Sequence, residues 1–250
     1  MASSARRCIF CGAKADSYEH VFPDWINRVI VNDEIDSEFF SVADGKVEDA
    51  RNYKTNKAAG LRAKIVCGRC NHGWMAELEL AASPLLRPLI VGQETTLNQA
   101  EQLLAAQWAT KTAMVGETIM YRQAQFSQDD RDLVRVQGHP PLRARVAIAT
   151  YSMEQPVATR YTRGLGGVRR DGTPFMDLYV HTIQIAHLVF SIRGTTTLPA
   201  SDNRSLESIA EPRYYEIPIF PPVETCRWPP RFVMNEKTFI EYAGGNNIGG

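Results

Sequence analysis

Mostly apolar residues recur at helical spacing over one long run of this chain. Leu97, Leu103, Leu104, Trp108, Thr112 and Val115 fall on a single face, the arrangement of an amphipathic helix. Thr96 and Gln99 have the spacing of a capping box, in which each side chain satisfies the other residue's backbone donor. The helix is therefore expected to begin there and to end near Gly116. A shorter helix is expected from Trp74 to Ala82. It should stop near Pro84, because proline lacks an amide hydrogen and crowds the preceding turn. Leu85, Leu86, Leu89 and Ile90 continue that stretch as an apolar segment, and Ser127 opens a third expected helix over 127–137. The pattern then changes to that of strands. Arg143 to Tyr151 is β-branched and apolar, Met176 to Arg193 reads as two strands or one long bent one, and Tyr214 to Phe220 is a further candidate. Near the N-terminus Trp25, Ile26, Val29 and Ile30 form a packing face. Between Asp33 and Ala63 periodicity is faint, which predicts loop and short strands, one of them around Phe39, Phe40 and Val42.

These elements make an α+β chain with two expected parts, residues 1–92 and residues 93–250. Composition adds little: 44% of residues are hydrophobic and 22% charged, and the formal net charge is zero, so global charge says nothing about a nucleic-acid partner. Local charge is more informative. Asp33 to Asp49 holds seven acids against one lysine, whereas Arg51 to Arg69 holds six basic residues and no acid. A solvated surface accounts for such runs equally well. No apolar run approaches the roughly 18 residues of a membrane span, and the first residues lack a signal-peptide core. A reducing, cytoplasmic location is expected.

Four of the five cysteines form two Cys-x-x-Cys turns, Cys8-Ile-Phe-Cys11 and Cys67-Gly-Arg-Cys70. In a reducing compartment this favours a metal over disulfides. Each turn sets two thiolates at the spacing of one tetrahedral zinc, and two turns complete a four-sulfur site. Such a site has no open position, so the zinc is expected to be structural. A thiol redox pair is the competing reading. Cys226 is the odd cysteine and is expected to be a small buried hydrophobe.

Between the turns lies Glu19-His20-Val-Phe-Pro23-Asp-Trp25. Adjacent residues of a strand point to opposite faces, so Glu19 and His20 are expected to play different roles, one toward a cation and one toward a proton. Together CIFCG, EHVFPDW and VCGRCNHGWMAELE resemble the HNH endonuclease superfamily, the ββα-metal nucleases. The likeness is to a bacterial and phage subgroup with EHV-x-P-x-W and Cys-x-x-Cys-Asn-x-Gly-Trp-Met elements, and it runs from Cys8 to about Glu79. It implies a zinc-stabilised ββα-metal module, followed by a helix and a β-rich C-terminal domain.

The resemblance also implies roles. His20 matches the general base that activates water, a task suited to an imidazole near neutral pH. Glu19 matches the acid that helps bind a catalytic Mg²⁺ or Mn²⁺. Asn71 matches the second metal ligand, with His72 beside it as the alternative, and Asn56 is the candidate for the middle asparagine, with Asn52 behind it. The glutamate stands where many relatives have aspartate, and asparagine is the poorer ligand at position 71. Trp74, Met75 and Leu78 are expected to pack against the zinc site, and Glu77 and Glu79 to be solvated helix carboxylates. Lys54, Lys57, Arg62, Lys64 and Arg69 are expected to contact the phosphates of DNA, double-stranded by expectation. His181 and His187 are expected to be sheet residues and His139 to lie in a loop. Residues 93–250 are expected to form either a DNA-facing sheet or a structural or homo-oligomerisation domain. The alternative to an endonuclease is a zinc-ribbon module that binds nucleic acid or protein without cutting.

Overall fold

The computed structural model describes residues 6–30, 41–43, 46–48, 62–120, 125–152, 158–168, 174–196 and 213–244. Asn52, Asn56, Lys54, Lys57, Phe39 and Phe40 lie outside the described residues. The fold is α+β. Its first part is a two-stranded antiparallel ribbon of β1 (Ser17–His20) and, much later in the chain, β4 (Arg62–Val66). A short helix α1 (Asp24–Val29) follows β1, and a small hairpin of β2 (Ser41–Ala43) and β3 (Lys46–Glu48) lies between. After β4 the chain turns through α2 (Gly68–Cys70) and a widened turn over Asn71–Met75, where Gly73 leaves helical geometry, into α3 (Ala76–Ile90).

Helix α3 does not stop at Pro84. It continues through Pro84 and Pro88 to Ile90. Pro84 lacks the N–H that would have bonded to the carbonyl of Leu80, and Leu80 lies on the exposed side of the helix, 79% accessible. On the opposite side Leu86, Leu89 and Ile90 are fully buried, and that packing holds the helix together across the missing bonds.

The next helix also begins later than its sequence suggests. Thr95–Leu97 forms β5, and α4 spans Gln99–Met120. The capping box belongs to Asn98 and Glu101: Asn98 N–H donates to Glu101 Oε2 at 2.8 Å, and Glu101 N–H donates to Asn98 Oδ1 at 3.0 Å. Thr96 is instead paired with Arg227. Ser127 does open α5 (Gln128–Asp132), with a reciprocal cap to Asp130, and helical geometry widens through Leu133–Gln137.

The second part is a six-stranded sheet. Strands β6 (Ala144–Tyr151), β7 (Ala158–Val168), β8 (Pro174–Ile185), β9 (Leu188–Thr195) and β10 (Ile217–Phe220) run in the order β10-β6-β9-β8-β7. Met176 to Arg193 therefore resolves into a hairpin, with Ala186 and His187 at its turn. Strand β11 (Cys226–Trp228) returns to pair with β5. Strand β12 (Val233–Met234) adds in parallel to β6, and α6 (Glu236–Gly244) ends the described chain. Cys226 is fully buried, and burial pushes its thiol up to about 11.

One hydrophobic cluster joins both parts, from Phe10 and Ile26 through Leu89 and Trp108 to Phe190 and Trp228. Trp108 is its hinge, with its ring 6.0 Å from that of Trp25 and 5.8 Å from that of Phe190. The fully buried Gln102 clips the C-terminal return by bonding both the N–H and the C=O of Val223. No helix among the described residues is long and apolar enough to cross a membrane. Replacing Asn98 by alanine should cost about 1 kcal/mol by removing the cap of α4. A urea unfolding curve with an unchanged slope and a lower midpoint is the expected result.

Candidate functional site

The two Cys-x-x-Cys turns meet. The Sγ atoms of Cys8, Cys11, Cys67 and Cys70 all lie within 4.8 Å of one another, and Cys11 and Cys67 approach to 3.5 Å. All four are free thiols. Tetrahedral zinc with sulfur at about 2.3 Å spaces its ligands roughly 3.8 Å apart, so the cluster fits that ion. In the first turn Gly12 adopts φ +71°, which lets its N–H return to the carbonyl of Cys8 at 2.9 Å. The bond from Ile9 N–H to the carbonyl of Ile65 ties this turn to β4. In the second turn Cys67 caps α2 by accepting the Cys70 N–H, and Gly68 N–H donates to Asp16 Oδ1 at 2.8 Å. Trp74 packs edge-on against Phe10, with ring centroids 4.9 Å apart; Met75 and Leu78 are buried in the same core.

The thiols differ in acidity. Burial opposes ionisation of Cys67, but hydrogen bonds from the Cys70 backbone and from neighbouring thiols bring it down to about 7. Burial pushes Cys11 and Cys70 up.

A cavity of about 500 Å³ opens next to this cluster. Glu19, His20, Asn71 and His72 all line it, together with Trp25 and Glu79. His20 ends β1, so it borders the same cavity as Glu19 although strand alternation turns the two side chains apart. Asn71 Nδ2 donates to Ser17 Oγ and to the carbonyl of Tyr18, both at 2.8 Å. It thus latches the start of the helical segment to the ribbon. His72 is exposed. Arg62, Lys64 and Arg69 are exposed as well, the first two on β4 and the third in the second cysteine turn.

The largest departure from the sequence reading concerns charge in the core. Glu79 is not a solvated carboxylate. It accepts the indole N–H groups of Trp25 at 2.7 Å and Trp108 at 2.8 Å, and it pairs with Lys111 Nζ at 2.5 Å. Lys111 is completely buried and reaches Glu19 Oε1 at 3.5 Å. Burial works against its ammonium, but the charges of Glu79 and Glu19 hold its pKa above the usual lysine value. Burial raises the Glu19 carboxyl, with Lys111 pulling the other way and Glu79 adding to the rise. Lys111 was hidden in the helical pattern, yet a signal exists. It shares the face of Leu104, Trp108 and Val115 at spacings of four, three and four, and a lysine on such a face needs a buried partner. Elsewhere His181 is fully buried in β8, His187 Nδ1 lies 2.9 Å from the carbonyl of Tyr151 at the β8–β9 turn, and His139 stacks on Phe220.

Among the described residues, the four cysteines form the one cluster of three or more His, Cys, Asp or Glu ligand atoms within metal-binding reach. The chain matches no family model, no curated protein and no solved structure.

Two outcomes follow from this geometry. Zinc must displace protons from at least Cys11 and Cys70 near neutral pH, because burial raises both thiols. Apparent zinc affinity should therefore rise by roughly a hundredfold or more per pH unit between pH 6 and 7, as read by competition with a chromophoric chelator. Lys111→Met leaves two partly buried carboxylates facing each other and should cost about 3 kcal/mol. Adding Glu79→Gln should recover part of that loss in a double-mutant cycle of urea midpoints.

Proposed function

We propose that this protein is a metal-dependent endonuclease of the HNH type, acting on DNA. The observation that carries the reading is the shared cavity. Glu19, His20, Asn71 and His72 come from segments some fifty residues apart and line one space beside a four-cysteine cluster. The order of the elements, an antiparallel strand pair followed by a helix with the cysteine turns at its base, also supports it.

In this reading His20 accepts a proton from the water that attacks the scissile phosphorus, and the bond to the departing 3′ oxygen breaks on the opposite side. Glu19, with Asn71 or His72, would hold one Mg²⁺ or Mn²⁺, which would supply charge neutralisation for the phosphate and the leaving oxygen. The donors suit such an ion, which takes one or two carboxylates and keeps several waters. Two carboxyl groups, Glu19 and Glu79, share the one ammonium of Lys111, which contacts Glu19 at Oε1. Asn71 would hold β1, and with it His20, at a fixed distance from the helical segment. The four-thiolate site would be structural, since it leaves no coordination position open.

A second reading has its own observation. Lys111 already compensates Glu19, and Asn71 is already bonded through its amide nitrogen. A zinc-stabilised module that binds nucleic acid without cutting would present the same contacts. Plasmid nicking separates the two. The nuclease reading expects Mg²⁺- or Mn²⁺-dependent cleavage that His20→Ala abolishes, by at least about a hundredfold, with zinc content and circular dichroism unchanged. Unaltered cleavage by His20→Ala sinks the mechanism, and DNA binding with no cleavage by the native protein favours the second reading.

A further inference from the structure

The β1–β4 ribbon has a second side that the catalytic reading does not use in full. Tyr18 lies opposite Lys64, and His20 lies opposite Arg62. Cross-strand partners share a face, so one face carries a phenol, an imidazole and two cations, while Glu19 turns inward to Lys111. Arg6 and Lys14 stand across from this face. Together with Tyr18, Arg62 and Lys64 they line a cleft of about 430 Å³. Tyr18 is 55% exposed. Arg62 Cζ lies 5.4 Å and Lys64 Nζ 6.0 Å from the centroid of its ring, so the ring and the two charges form one unit.

Among the described residues no acidic side chain lines the cleft, and none of its four cations forms an ion pair. Four like charges gathered in one cleft repel one another, and a bound polyanion lowers that cost. Exposed aromatic rings flanked by cations are the elements from which single-stranded nucleic-acid grooves are built: the cations follow the backbone and the ring stacks a base. A base inside a duplex offers no free face to such a ring.

We infer that the cleft of Arg6, Lys14, Tyr18, Arg62 and Lys64 is a binding subsite for one unpaired nucleotide, with the phosphate on the cations and the base on Tyr18. The subsite rests on the nucleic-acid part of the proposed function and narrows its substrate class to strands with an unpaired base next to the cut. Tyr18 and His20 are two residues apart on β1, about 7 Å, and His20 lines the neighbouring cavity, so the cleft lies beside the proposed site.

Fluorescence anisotropy of a labelled twelve-nucleotide strand, alone and in a duplex, tests this without added divalent cation, so that nothing is cleaved. Arg6→Glu with Lys14→Glu should weaken binding of the single strand by at least about tenfold and flatten its dependence on salt concentration. Arg227→Glu with Lys237→Glu, the same charge change at exposed positions elsewhere, should move affinity less than about twofold. Tyr18→Leu should weaken the single strand by about tenfold or more and leave the duplex within about twofold. Equal losses in the two charge variants, or a Tyr18→Leu effect that is absent or identical for strand and duplex, overturns the subsite. The nuclease reading fails separately: a native protein that binds strands as described but never cuts them keeps the subsite and loses the mechanism.

Discussion

Four sulfurs from two turns of chain, with Cys11 and Cys67 56 positions apart, lie within 4.8 Å of one another, and the arrangement of the candidate site depends on that convergence. The first turn sets where β1 begins, the second sets where the helical segment begins, and Asn71 follows the last cysteine directly. Backbone bonds from Ile9 to Ile65 and from Asp16 to Val66 support the junction, but they join only the first turn and the start of β1 to β4. A tetrahedral ion on the thiolates would fix both turns at once, and its binding energy would count as folding energy for the ribbon and α3.

A second constraint couples this module to the remainder of the protein. Lys111 comes from α4, in the second part of the chain, yet it reaches both Glu19 and Glu79. Trp25 and Trp108 complete the donor set of Glu79. The same Trp108 packs against Phe190 of the sheet. Residues 93–250 thereby contribute a charge that contacts Glu19 and a ring that anchors Glu79. Buried or partly buried ion pairs recur in the second part: Arg131 with Glu117 between α5 and α4, Arg193 with Glu216, and Arg143 with Asp130. Such pairs add little net stability but penalise any packing that separates them.

Much of this was legible in the sequence where the signal is local. The cysteine turns, the cap at Ser127 and the strand at Ala144–Tyr151 depend on residues near one another in the chain. Elements that depend on distant partners were misread. Thr96 looked like a helix cap, but pairing with Arg227 drew it into a strand and passed the cap to Asn98. Pro84 looked like a stop, but burial of Leu86 and Leu89 carried α3 through it. Glu79 looked solvated because neither its indole partners nor Lys111 lies within thirty residues of it, apart from Trp108 at 29. The candidate site was legible as a set of residue types, while the hydrogen bonds that occupy Asn71 and Glu19 were not.

X-ray absorption at the zinc edge on the purified full-length protein tests the central claim most directly. The account predicts one zinc per chain with a shell of four sulfur scatterers at about 2.3 Å. A protein that holds no metal, or a shell containing nitrogen or oxygen in place of sulfur, would contradict it.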